Sequence, residues 1–130
     1  MKASQVNRFV GIPYEADRFD CADLAALVQK ELFGKAVVLP GHHPKGAATQ
    51  AAAIRKGADV LAERIAKEEA MPGDAVLIVS EGLLHIGTML ELSSIAWVLH
   101  ASATLGHSVL HRLADLPAYG LKIEGYYRWK

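Results

Sequence analysis

The chain has 130 residues, 52% of them hydrophobic, which is the size of one ordinary domain able to bury a core without disulfide or metal staples. Its 14 Lys and Arg balance 14 Asp and Glu, so no basic field exists to recruit nucleic acid or anionic lipid, and neither is expected as a partner. A single cysteine excludes an internal disulfide framework and a multi-thiolate zinc cage.

In chain order, "MKASQVNRFVGIPY" has no apolar run behind its lysine and does not read as a secretory signal, so the chain is expected in the cytoplasm when made. Residues 3 to 10 predict a short helix ended by Gly11 and Pro13. A second helix is predicted from Cys21 to about Phe33, stopped by Gly34. "LPGHHPKG" reads as a surface loop that leaves His42 and His43 solvated, with no catalytic role. "AATQAAAIRK" and "ADVLAERIAKEEA" read as helical segments either side of Gly57. After the turn "MPGD" come five strand patterns: "AVLIVS", "LLHIGTMLEL", "IAWVLHAS", "HSVLHRL" and "KIEGYYRW". The longest mainly apolar stretch, "SSIAWVLHASATL", is too short and too broken to cross a bilayer, and no membrane partner is expected. Helices first and strands second predict a single α+β domain over residues 1–130, with helices packed on a mainly antiparallel sheet of about five strands.

The chemistry-bearing positions follow from these elements. Asp20 is placed to cap the second helix, which puts Cys21 at its first turn, where free N–H groups and the helix dipole favour a thiolate. Cys21 also shares a helix face with Leu24, Ala25, Val28 and Leu32, so packing in the core is an alternative reading. Alternation puts His85, Gly87 and Met89 on one face of their strand and groups Ala96, Val98 and His100 on the next, leaving room for two rings to meet if the strands pair. For each histidine taken singly, a buried ring satisfied by a backbone carbonyl is the competing reading. His107 and His111 have a spacing that recurs in zinc sites, but on a strand they lie about 13 Å apart, and no metal is expected. They follow a further turn at Gly106 and are expected to stand apart from the site, so that alanine at either does little.

Taken in order, "GIPYEADRFDCADLAALVQKELFG", "MPGDAVLIV", "LLHIGTML" and "VLHASATLGHSVLHRL" resemble the NlpC-type superfamily of papain-like cell-wall cysteine peptidases. The family pattern is a Gly-x-Pro-Tyr segment, a helix opening on Asp-Cys, a Pro-Gly-Asp turn, a His followed by a small apolar residue and glycine, and a polar residue on the next strand. The resemblance implies a papain-like fold with Cys21 as nucleophile, His85 as general base, His100 as the orienting third residue and Tyr14 as the active-site tyrosine. It also implies that the backbone N–H of Cys21 helps hold the oxyanion and that no cofactor is needed. The implied substrate is the peptidoglycan stem peptide, cut at the γ-D-glutamyl–diaminopimelate bond. "IEGYYRW" is similar to the ending of phage-tail and prophage members, which implies a tail-associated enzyme with other tail proteins as partners. The sequence departs from many members in having "EADRF" and Ala22-Asp23 where they carry glycines and Ser-Gly. A related amidase or acyltransferase, and a non-catalytic tail module with the same fold, are the alternatives.

Overall fold

The structure is a computed structural model that describes residues 1–15, 18–37 and 47–130. His42 and His43 lie outside the described residues. The N-terminal helix α1 (Ala3–Val6) passes into a 3-10 turn at Asn7–Phe9, and Gly11, at φ +86°, ends it.

Helix α2 spans Cys21–Phe33. Its start is fixed by a reciprocal capping box. The Asp20 carboxylate accepts from the N–H of Ala22 at 3.0 Å and of Asp23 at 3.1 Å, while the Asp23 carboxylate accepts from the Asp20 N–H at 3.0 Å. Gly34 closes the helix in the left-handed conformation, as its position in the sequence predicts.

Helix α3 (Ala47–Leu61) runs through Gly57 instead of breaking there. A glycine inside a helix costs only about 1 kcal/mol relative to alanine, which the alanine-rich flanks offset. The second predicted helical segment is corrected more sharply. Ala62–Ile65 is a strand, β1, followed by a 3-10 turn at Lys67–Glu69. The reason is the partner. Ala62, Glu63, Arg64 and Ile65 pair with Trp129, Arg128, Tyr127 and Tyr126, so the helix-compatible run satisfies the outer edge of the C-terminal strand.

The remaining strands are β2 (Ala75–Ser80), β3 (Leu83–Leu92), β4 (Ile95–Ser102), β5 (His107–Arg112) and β6 (Lys122–Trp129). The described residues thus form a six-stranded antiparallel sheet, ordered β1-β6-β2-β3-β4-β5, where the sequence predicts about five strands. The α+β class stands. The strand patterns share one face on each side because residues alternate along every strand.

One face packs against α2 and α3, with the N-terminal segment beside them. Its core holds Leu77, Leu84, Ile86, Leu90 and Leu99 from the sheet, with Val6, Phe9, Cys21, Leu24, Ala25 and Val28 from the helical side. The other face holds Val76, Ile78, Met89, Val98 and Tyr126, covered by Leu116 from a 3-10 helix at Leu113–Tyr119 that the sequence reading does not anticipate. Two polar anchors lock the layers. Asp74, 4% exposed, binds Arg128 through both carboxylate oxygens at 3.1 and 3.0 Å and accepts the Met71 N–H at 2.7 Å. Ser108 donates to the Phe9 carbonyl at 2.6 Å and accepts the Ile12 N–H at 2.8 Å, fastening the N-terminal segment to β5.

Candidate active site

His85 lies near the start of β3 and His100 near the end of β4, with Gly87 directly opposite His100 in the ladder. Diagonal placement on one sheet face brings the two rings together, stacked with centroids 5.1 Å apart and planes 28° apart. Gly87 is what permits this. A Cβ at that position would stand 2.6 Å from Val98 Cγ1 and 3.3 Å from His100 Cβ.

A third imidazole continues the row. His111 on β5 pairs with Val98 and projects from the same face, with its Nδ1 3.1 Å from His100 Nε2. Tyr119, from the end of the 3-10 helix, stacks on His111 at 4.1 Å between centroids. The expectation that His111 stands apart is therefore overturned. The turn at Gly106, from which separation is expected, instead folds β5 back beside β4, in a register that sets His111 next to His100. His107 does stay apart: its Nδ1 is 2.9 Å from the Ser108 carbonyl, and its backbone bridges Pro13. The imidazoles border a cavity of about 180 Å³, shared with Ser80, Ser102 and Leu121.

Burial dominates the electrostatics of this row. His85 is pushed down to about 4 by desolvation. His100, 1% exposed, is pushed down to about 3 by burial and then by its histidine neighbours. Both rings are neutral at pH 7. Their outward bonding is incomplete: His85 Nε2 and His100 Nδ1 are buried without a hydrogen-bond partner.

Cys21 is held differently. It is 2% exposed and belongs to the core on the helix side of the sheet, beside Leu84 and Ile86, whereas His85 and His100 project from the opposite face. The thiol reaches the backbone N–H of Ile86, one residue beyond His85, and its own N–H and that of Ala22 lie close to it. These donors favour the thiolate, but burial outweighs them, and with the Asp20 charge it pushes the thiol up to about 12. No hydrogen bond joins Cys21 to His85. The structure thus brings together His85 and His100, adds His111 and Tyr119, and places Cys21 against the backbone of β3 from the other side. Tyr14 is half-buried against the same core as Cys21, on a segment tied down by its own N–H to the Gly106 carbonyl at 2.9 Å.

Among the described residues no group of three or more His, Cys, Asp or Glu is arranged to hold a metal ion, and no helix is long and apolar enough to cross a membrane. No protein-family model matches the chain, and no curated protein matches it significantly.

Proposed function

We propose that the chain is a cysteine hydrolase of papain-like, NlpC type, acting on amide bonds of the peptidoglycan stem peptide in a phage-tail or prophage setting. The observation that carries this reading is the meeting of α2 with β3. A capped helix N-terminus delivers the Cys21 thiol to the backbone of Ile86, and the preceding residue, His85, stacks on His100 from the next strand. The reading is supported by this contact between the Asp-Cys helix and the His-x-Gly strand, the two segments on which the resemblance chiefly rests.

In the proposed reaction the thiol gives its proton to His85, and Sγ adds to the scissile carbonyl carbon. The oxyanion is held by the Cys21 N–H, and His85 returns the proton to the leaving amine as the C–N bond breaks. Water then adds to the thioester, and the carboxylate product and the thiol are regenerated. The cycle starts from a neutral thiol and neutral imidazoles that lie on opposite faces of β3, so its first requirement is a rearrangement of the α2–β3 contact that brings the Cys21 thiol and the His85 ring to one side of the strand. The γ-D-glutamyl–diaminopimelate bond is the proposed point of cleavage. An amidase or acyltransferase would share the thioester and differ in the bond broken or the acceptor.

The burial of Cys21 favours a second reading. A thiol 2% exposed and pushed up to about 12 is also what a core cysteine has in a non-catalytic tail module with the same fold. Digesting purified peptidoglycan and identifying the fragments by mass spectrometry separates the two. The hydrolase releases stem-peptide fragments carrying a new amine, and Cys21→Ala releases none. An inactive parent protein leaves the module.

A further inference from the structure

His100 presents two nitrogens with different fates. Its Nε2 is 3.1 Å from His111 Nδ1, and its Nδ1 is buried with no partner. One proton lies in the bond between the rings, and two arrangements are possible. If His111 Nδ1–H donates, the neutral His100 must carry its own proton on Nδ1, which is then a buried N–H with nothing to receive it. If His100 Nε2–H donates, its Nδ1 is a bare lone pair. Orphaned buried donors are rarer and costlier than under-used acceptors. The second arrangement is therefore the stable one.

It also matches the orphan across the stack. His85 Nε2 is the other buried nitrogen without a partner, on a ring 5.1 Å from His100 between centroids. A His85 protonated at Nε2 offers a donor where His100 offers an acceptor. Rotating one ring out of the stack, so that the N–H and the lone pair lie on one line, joins them and leaves His85 Nδ1 bare. His111 is itself held in plane by Tyr119, stacked at 4.1 Å with planes 18° apart.

We propose that His111 is a positioning residue whose Nδ1 accepts the Nε2–H of His100, fixing His100 in the tautomer with a bare Nδ1 left to accept from His85. The row across β3, β4 and β5 is thus a directed chain of donors ending on the Tyr119-backed ring. This deepens the proposed hydrolase reading, because the acceptor it creates is the one an orienting residue must offer a general base.

The test is nitrogen-15 NMR of the histidine-labelled full chain at pH 7, where long-range proton–nitrogen correlations report the protonated nitrogen of each ring. The parent protein is expected to show His100 protonated at Nε2 and bare at Nδ1. His111→Ala is expected to populate the Nδ1–H form, and His111→Asn, whose amide oxygen takes the place of Nδ1, to restore the parent pattern. Finding His100 protonated at Nδ1 in the parent, or unchanged in His111→Ala, overturns the proposal. In the hydrolase assay His111→Ala lowers kcat at least about tenfold with KM little changed, and His111→Asn recovers most of it. Unchanged kcat in His111→Ala alongside an active parent overturns the positioning role. An inactive parent with the expected tautomer overturns only the hydrolase reading, since the tautomer measurement does not depend on turnover.

Discussion

Gly87 lies opposite His100 across the β3–β4 ladder, and there is no room for a side chain between the glycine and its partner strand: an added Cβ would meet Val98 Cγ1 at 2.6 Å. The glycine of the His-x-Gly pattern is thus a steric requirement of the histidine stack. Gly87→Ala is expected to force β4 or the His100 side chain outward, at a cost of roughly 1–3 kcal/mol by overpacking. Urea denaturation gives the stability change, and the His85 and His100 ring signals report the displacement. An unshifted denaturation midpoint with unmoved ring signals would show that the close approach is not there.

The histidine row makes stability depend on pH in a defined direction. Burial holds His85 at about 4 and His100 at about 3, both below the ordinary value of 6.5. Below pH 6.5 the unfolded chain binds protons that the folded chain refuses, so stability falls as pH falls. The loss stops growing once pH passes about 4 for one ring and about 3 for the other. Within that window each ring contributes about 1.4 kcal/mol per pH unit. The urea midpoint of the parent should fall more between pH 7 and pH 5 than that of His100→Asn, which has no imidazole to protonate there. Equal slopes would mean that His100 titrates normally.

With its thiol pushed up to about 12, Cys21 is almost wholly protonated at neutral pH in the free protein. Its alkylation by iodoacetamide should therefore be slower in the folded than in the urea-unfolded chain. The folded rate should climb about tenfold per pH unit from pH 7 to pH 9, following the thiolate fraction. A fast rate that is flat across this range would reveal a thiolate–imidazolium pair already formed before substrate binds.

Asp74 explains the Pro-Gly-Asp turn in physical terms. Its buried carboxylate serves the Met71 N–H and both nitrogens of the Arg128 fork, tying the turn to the C-terminal strand. Asp74→Ala leaves the Met71 N–H without its acceptor, and a loss of about 1–3 kcal/mol is expected. Thermal unfolding measures it, and a variant as stable as the parent would show that the turn is held by its backbone alone.

What the sequence revealed and what it hid divide along the range of the interactions. The bounds of α2 were legible because Asp20, Asp23 and Gly34 act within a turn of the helix they delimit. The shared face of His85 and His100 was legible because alternation is a property of each strand and the strands are neighbours in sequence. Strand β1 was not, since Ala62–Ile65 is a strand only by virtue of β6, more than sixty residues away. His111 and Tyr119 were missed for a related reason: their place in the row depends on the β4–β5 register and on a 3-10 helix with no periodic signature. Nor does periodicity tell on which side of the sheet α2 packs, which is why the separation of Cys21 from the imidazole face came only from the structure.

The most direct test of the account is the initial rate on a defined muropeptide carrying the stem tetrapeptide, measured for the parent, Cys21→Ala and His85→Ala, with folding of each checked by circular dichroism. The hydrolase account predicts cleavage by the parent with one new amine per bond broken. It predicts loss of at least about three orders of magnitude in both variants, as expected when either half of a nucleophile–base pair is removed. A folded parent that leaves the muropeptide intact, or a Cys21→Ala variant that cuts it at the parent's rate, would contradict it.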